Sequence, residues 1–414
     1  MPGKFFDPAQ KVKIMDAPKI NVTCRPASHR CHVNEKVEFL IEADTKEPLE
    51  AVISVDGEAV LEKHTVTAPA RLVSSLPFPG FLRCTVTRGD EKAQCGVGVD
   101  PDQITPLIPE PPDFDRFWEE AFAELDAVPA DFTMERCEGI PGYEIYRIGC
   151  ANVNGLRAYA MLALPENPSG PVPLMTVFGG GEAYEAEDSF RAHPPAFEAH
   201  MGRPCAVLVY HLPPYPPEKH YADCKARHEK FLKEIGLERY VFYGLDSPRR
   251  FYLYPAILGC VRLLRETAAL PVIDRENIVY CGASHGGAFG LYLCCFSGLI
   301  KAAFCGVPDF GDVGGFLAGR HPTDCRAPEF REHWRTLLYF DTAFCAKRIT
   351  CPVFMGVGFV DDNCFPTWGY AIYNALRGPK FMFDKIANGH ADVPPGYHEM
   401  WRIWLAKQIS PGKP

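Results

Sequence analysis

Three residues far apart in the chain could share one piece of chemistry. Ser284 lies in Gly282-Ala-Ser-His-Gly286, a G-x-S-x-G pattern with a further glycine at 287. Asp361 and Asp362 follow an apolar run at 353–357, and His390 follows another at 381–386. A Ser hydroxyl is a weak nucleophile at neutral pH. It needs an imidazole to take its proton and a carboxylate to orient that imidazole. The chemistry is attack on an ester or amide carbonyl through an acyl-enzyme. Ser, acid and His in that chain order, with acid and base on loops after late strands, fit it. Asp361 is read as the acid, with Asp362 its close competitor on pattern alone. Of the 13 histidines, His390 alone stands in a loop directly after a late strand.

These residues need elements that place them. Residues 278–281 read as a buried strand and 288–295 as a helix, so Ser284 falls on the tight turn between them, a nucleophile elbow. Such a turn leaves no room for bulk two residues either side of the Ser, hence Gly282 and Gly286. The N–H of His285 would point at a developing oxyanion, while its side chain leaves the elbow in another direction. A second donor should come from Phe178-Gly-Gly-Gly-Glu182, where glycines let backbone approach a carbonyl, and Gly180 is the expected donor. Glu182, Tyr184, Tyr210 and Trp368 are the expected substrate-binding residues.

Apolar runs at 173–178, 205–210, 278–281, 301–306, 353–357 and 381–386 alternate with helical stretches at 255–270, 288–296, 367–376 and 398–408. That alternation predicts an α/β-hydrolase fold, a mostly parallel sheet covered on both faces, over residues 113–414. Residues 143–148 and 156–164 predict a leading hairpin. The charged, aromatic stretch 221–249 breaks the pattern and reads as a cap or insertion near the site. Phe114, Phe117, Trp118, Ala121, Phe122 and Leu125 recur at helical spacing after Asp113, so a helix with a buried aromatic face begins the domain.

Before it, residues 1–104 show short alternating runs punctuated by Asp56-Gly57, Pro79-Gly80 and Arg88-Gly-Asp90. They predict a small all-β, immunoglobulin-like sandwich, read first as a packing module. The proline-rich stretch 105–112 predicts a stiff, extended linker.

Composition narrows the class. A chain of 414 residues with 47% hydrophobic content accommodates a sizeable catalytic core plus a smaller domain. A net charge of −9 gives no reason to expect nucleic acid or an anionic membrane as partner. No run is long and apolar enough to span a bilayer. Residues 1–8 do not open a signal peptide, so the expectation is cytoplasmic; a secreted or periplasmic setting would require a leader lost from the start of the chain. The 17 cysteines read as reduced thiols, although Cys24 with Cys31, or Cys84 with Cys95, could pair in an oxidising compartment. No metal is expected: Cys24, His29, Cys31 and His32 fit no standard zinc spacing. No Walker loop or dinucleotide fingerprint is present, and no cofactor is expected.

Longer stretches resemble the acetyl xylan esterase / cephalosporin C deacetylase family of α/β-hydrolases over roughly 109–410. Pro112-Asp-Phe-Asp-Arg-Phe-Trp118 is similar to its opening helix, and the run from Val272 to Gly287 to its approach to G-x-S-Q-G-G. Gly358-Phe-Val-Asp361 through Tyr373-Asn374 is similar to its G-L-x-D and Y-N segment, which favours Asp361. Asn388-Gly-His390 matches its N-x-H. The resemblance implies deacetylation of small acetylated carbohydrates without a cofactor, often in a ring-like homo-oligomer. Three motifs depart: His211-Leu-Pro-Pro replaces R-G-Q, His285 replaces the Gln after the nucleophile, and Phe178-Gly-Gly180 replaces H-G-Y. The sequence therefore predicts a serine carboxylesterase. Its rivals are a serine peptidase of prolyl oligopeptidase type and a non-catalytic glycan-binding protein.

Overall fold

The computed structural model describes residues 20–182, 184–320 and 328–409. The segment read for an export signal lies outside them. A nine-stranded sheet runs through the larger part of the molecule, in the order Lys380–Lys385, Val353–Gly358, Ala302–Gly306, Ile273–Ala283, Val172–Phe178, Ala206–His211, Arg157–Pro165, Tyr143–Ala151 and Thr133–Arg136. From Lys380–Lys385 to Ala206–His211 all neighbours are parallel, and the last three strands add on antiparallel. The central strands are apolar on both faces because helices cover both. One side carries the helices Phe114–Ala127, Leu253–Ala268, His285–Phe296 and Pro366–Ala375; the other is covered by His193–Met201 and Tyr397–Gln408.

Strand order reverses between Val172–Phe178 and Ile273–Ala283, which lie side by side although a strand and several helices separate them in sequence. In open α/β sheets the crevice beyond the carboxyl ends at such a switch point is where ligands bind. Here those two ends carry the glycine loop and Ser284.

The aromatic helix Phe114–Ala127 buries its stripe as expected. Trp118 donates its indole N–H to the Tyr339 carbonyl at 3.0 Å and lies 4.5 Å, centroid to centroid, from Phe296. Asp113 does not cap it with its side chain, accepting instead from the Tyr339 hydroxyl at 2.9 Å.

The N-terminal strands form a three-stranded and a five-stranded sheet around one apolar core that includes Val37, Phe39, Ile53 and Val97. This is a sandwich and not a propeller. Sequence reading missed the strand Ala59–Val66, an edge whose outward residues are polar or exposed. No disulfide joins the described cysteines. Cys84 and Cys95 face each other across Gly80–Arg88 and Glu91–Val99, and neither they nor Cys24 and Cys31 are bonded.

The stretch 105–112 is not a free spacer. Leu107 donates its backbone N–H to Asp312 at 2.7 Å, Arg320 reaches the Thr105 carbonyl, and Glu110 pairs with Lys347 at 3.1 Å. Ile108 packs against the large core. Among the described residues no helix is long and apolar enough to cross a membrane.

Candidate active site

Ser284 ends the strand Ile273–Ala283 with φ 59° and ψ −126°, and the helix His285–Phe296 starts at the next residue. An L-residue adopts such angles only when its surroundings over-determine them. Here close packing does so: a Cβ on Gly286 would lie 2.2 Å from the Phe178 carbonyl oxygen, and one on Gly282 would lie 2.6 Å from that of Gly286. The two glycines let the helix start press against the neighbouring strand end.

His390 Nε2 stands 3.1 Å from Ser284 Oγ, and His390 Nδ1 stands 2.9 Å from Asp361 Oδ2. A carboxylate only accepts, so Nδ1 carries the proton and Nε2 is left to accept from the Ser hydroxyl. The other Asp361 oxygen accepts from the backbone N–H groups of Asn363 at 2.8 Å and Cys364 at 2.9 Å. Asp361 is fully buried, whereas Asp362 turns outward to Lys92 at 3.3 Å. Alternation along the loop thus separates two acids that pattern left open. Lys385, also buried, donates to the carbonyls of Gly389, His390 and Asp392, tying down the loop that bears the imidazole. Burial holds its ammonium below the usual lysine range.

Beside Ser284 opens a cavity of about 90 Å³, lined by Gly181, Arg239, Val241, Tyr252, His285, Asp309, Phe310, Phe330, Asn363, Cys364 and Trp368. Trp368, expected from sequence, is one of its walls. Gly181 represents the glycine loop there, next to the expected donor Gly180. His285 heads its helix, so its N–H has no partner within the helix. Its side chain is held sideways by the Asp309 carboxylate at 3.1 Å and the Tyr252 hydroxyl at 3.2 Å.

The other expected pocket residues stand elsewhere. Tyr210 is buried in the core, 6.1 Å from the Phe178 ring, and its hydroxyl has no hydrogen-bond partner. It is not a cavity wall, because a strand covered on both faces sends it inward. Tyr184 stacks on Tyr221 and His228 outside the cavity. Glu182 accepts from His228 and from the Tyr240 N–H at 3.0 Å, with Arg239 at 3.8 Å. Its place is to fasten the 221–249 segment onto the glycine loop. That segment contributes Arg239 and Val241 to the cavity, so it does lie over the site. Asp309 and Phe310 were missed, since loop residues after a strand carry no periodicity, and Phe330 was missed because it lies in the five-residue helix Pro328–Glu332, too short to show one.

Cys24, His29 and Cys95 bring three potential ligand atoms within 4.8 Å of one another in the sandwich. The His29 Nδ1 that faces the thiols also lies 2.9 Å from the Gly96 carbonyl, so the cluster is satisfied by hydrogen bonds. Cys31 and His32 are not part of it.

The sequence pattern of acetyl xylan esterases (AXE1) matches residues 103–407. The chain belongs to that family. Membership makes it a carboxylic ester hydrolase, with the α/β-hydrolase fold seen above. The chain is 26% identical over 363 residues to acetyl esterase Axe7A of Xylanibacter ruminicola, covering 86% of this chain and 78% of that protein. In fold it is similar to the acetyl xylan esterase of Paenibacillus sp. R4, with a TM-score of 0.62 at 20% identity over 75% of this chain and 98% of that one. Acetyl xylan esterase 1 of Thermoanaerobacterium sp. JW/SL YS485 gives the same figures, a TM-score of 0.62 and 20% identity over 75% and 98% of the two chains.

Proposed function

We propose that this protein is a serine esterase that removes acetyl groups from hydroxyls of acetylated sugars or oligosaccharides. The observation that carries the reading is the line Asp361–His390–Ser284, with links of 2.9 and 3.1 Å, at the mouth of a small cavity in an acetyl xylan esterase family chain. Ser284 Oγ attacks the acetyl carbonyl while His390 Nε2 takes its proton. The tetrahedral oxyanion is met by backbone N–H groups of His285 and the glycine loop, Gly180 first among them. His390 returns the proton to the departing sugar oxygen, leaving an acetyl-Ser284. Water, deprotonated by His390, then releases acetate and restores the Ser hydroxyl. Asp361 holds the imidazole in the right tautomer and stabilises its cation.

Cavity size supports a short acyl group. About 90 Å³ accommodates a few small groups and closes against the rings of Phe310, Phe330 and Trp368. Arg239 and Asp309 supply polar walls suited to sugar hydroxyls.

The deciding experiment compares wild type with Ser284→Ala on acetylated xylo-oligosaccharides and on p-nitrophenyl acetate. Acetate release from both, reduced about 10⁵- to 10⁶-fold in the variant, is the expected result. Turnover of the nitrophenyl ester alone would keep the chemistry and remove the carbohydrate. No turnover of either, with no labelling of Ser284 by a fluorophosphonate, would overturn the reading.

A further inference from the structure

We propose that Arg83, a residue of the N-terminal sandwich, is a positioning residue for the catalytic acid. It holds the loop that presents Asp361 to His390, so the sandwich is a structural part of the active site. This rests on the triad reading above.

Arg83 lies on the strand Gly80–Arg88 and is 1% exposed. Its Nη2 donates to the Asp361 carbonyl at 2.6 Å and reaches that of Phe359 at 3.4 Å. Both carbonyls belong to the turn that follows the strand Val353–Gly358. One cation therefore fixes the backbone on which the acid hangs. Other sandwich atoms converge on the same place. A Cβ on Gly96 would sit 2.5 Å from the Phe359 carbonyl oxygen, so the strand Glu91–Val99 lies directly against the turn. A Cβ on Gly57 would sit 2.4 Å from Arg83 Nη1, so the Asp56-Gly57 turn closes over the guanidinium. Asp56 accepts from the hydroxyl of Thr367, in the first turn of the helix Pro366–Ala375 that leaves the acid loop. The sandwich thus grips this loop at its start through Arg83 and just beyond its end through Thr367.

A hydrophobic residue could have filled this interface without burying a cation. Removing a guanidinium from water is costly unless its donors are met in good geometry. Here Nη2 alone is aimed at backbone of the acid loop, while Nε is buried without an acceptor, so the cation is kept at a cost and its one strong bond falls where the carboxylate's position is set. A shift of about 1 Å in a positioning group can cost about 100-fold in rate. That lever acts on turnover more than on substrate binding, because Arg83 does not line the cavity.

The test uses full-length Arg83→Met, Arg83→Lys and Gly96→Ala, with thermal melts to establish folding. On p-nitrophenyl acetate, Arg83→Met should lower kcat about 10- to 100-fold with KM within about 2-fold. Arg83→Lys, which keeps the charge but not the fork, should recover part of the loss. Gly96→Ala pushes the Phe359 carbonyl without touching Arg83 and should lower kcat in the same way. The low-field proton resonance of the His390 Nδ1–H bond to Asp361 should shift or vanish in Arg83→Met and Gly96→Ala. Folded variants with unchanged kcat and resonance would overturn the inference and leave Arg83 as a staple between two layers. If Arg83→Met does not fold, the Lys and Gly96 variants decide by the same readouts. The resonance needs no turnover, so it tests Arg83 separately from the esterase reading, which Ser284→Ala tests.

Discussion

At the scale of single residues, the pair Asp361 and Asp362 shows how geometry divides one chemistry between neighbours. Asp361 is buried, with one oxygen on His390 and the other on two backbone N–H groups. Asp362, one peptide away, meets Lys92 at a half-exposed surface site. Asp361→Asn presents an amide where only an acceptor suits Nδ1–H, so the imidazole loses its tautomer. The expected loss in kcat is about 10⁴-fold. Asp362→Asn removes one side of an exposed ion pair, worth at most about 1 kcal/mol. Its kcat should stay within about 2-fold of wild type, since nothing at Ser284 depends on it. Steady-state rates for the two variants under one set of conditions check both. Equal losses, or a larger loss at Asp362, would mean that the acid has been misassigned.

Elements decide what a residue can reach, and here reading from sequence was uneven for physical reasons. The strand-turn-helix around Ser284 was legible because a tight turn demands glycine on both sides and buried parallel strands are continuous apolar runs. The same continuity hid Tyr210: a strand covered on both faces does not say which face meets the cavity. Arg83 was illegible because its partner Asp361 lies 278 residues away in sequence. Arg239 and Val241 lie in a stretch without periodicity, so only the fold could bring them to Ser284. Glu182 was singled out as a pocket residue and instead joins two elements, the glycine loop and the 221–249 segment. Glu182→Ala would leave His228 and the Tyr240 N–H without their buried acceptor, costing about 1–3 kcal/mol for each group left unmet. The helix Tyr221–Ile235 should become more susceptible to limited proteolysis, and kcat/KM should fall about 10-fold as the glycine loop loses its brace. Unchanged proteolysis would show that this segment is held by its aromatic packing alone.

For the molecule as a whole, the contact between sandwich and hydrolase layers places a carboxyl where water does not reach. Asp56 is fully buried at that contact, and one of its oxygens has no hydrogen-bond partner. Burial raises its pKa from 3.8 to about 6, against the opposing pull of the Thr367 hydroxyl and the Arg83 charge. A carboxyl raised in this way favours folding while it is protonated in both states. As pH rises above the unfolded value, the unfolded chain releases its proton first. Stability is then lost progressively until the folded group also ionises near pH 6, and above that the loss is complete. The shift corresponds to about 2–3 kcal/mol between pH 4 and pH 6. Asp56→Asn keeps the shape and an acceptor for Thr367 but cannot titrate. The Asn side chain also differs from a neutral carboxyl in what it offers Thr367 and Arg83, an offset that does not change with pH. The informative quantity is therefore the slope. Unfolding free energy of wild type minus that of Asp56→Asn should decrease as pH rises from 4 to 6 and level off above. A flat difference across that window would mean that Asp56 is ionised throughout and that Arg83 compensates its burial. The sandwich and the acid loop would then be joined by a true buried ion pair instead of a neutral hydrogen-bonded seam.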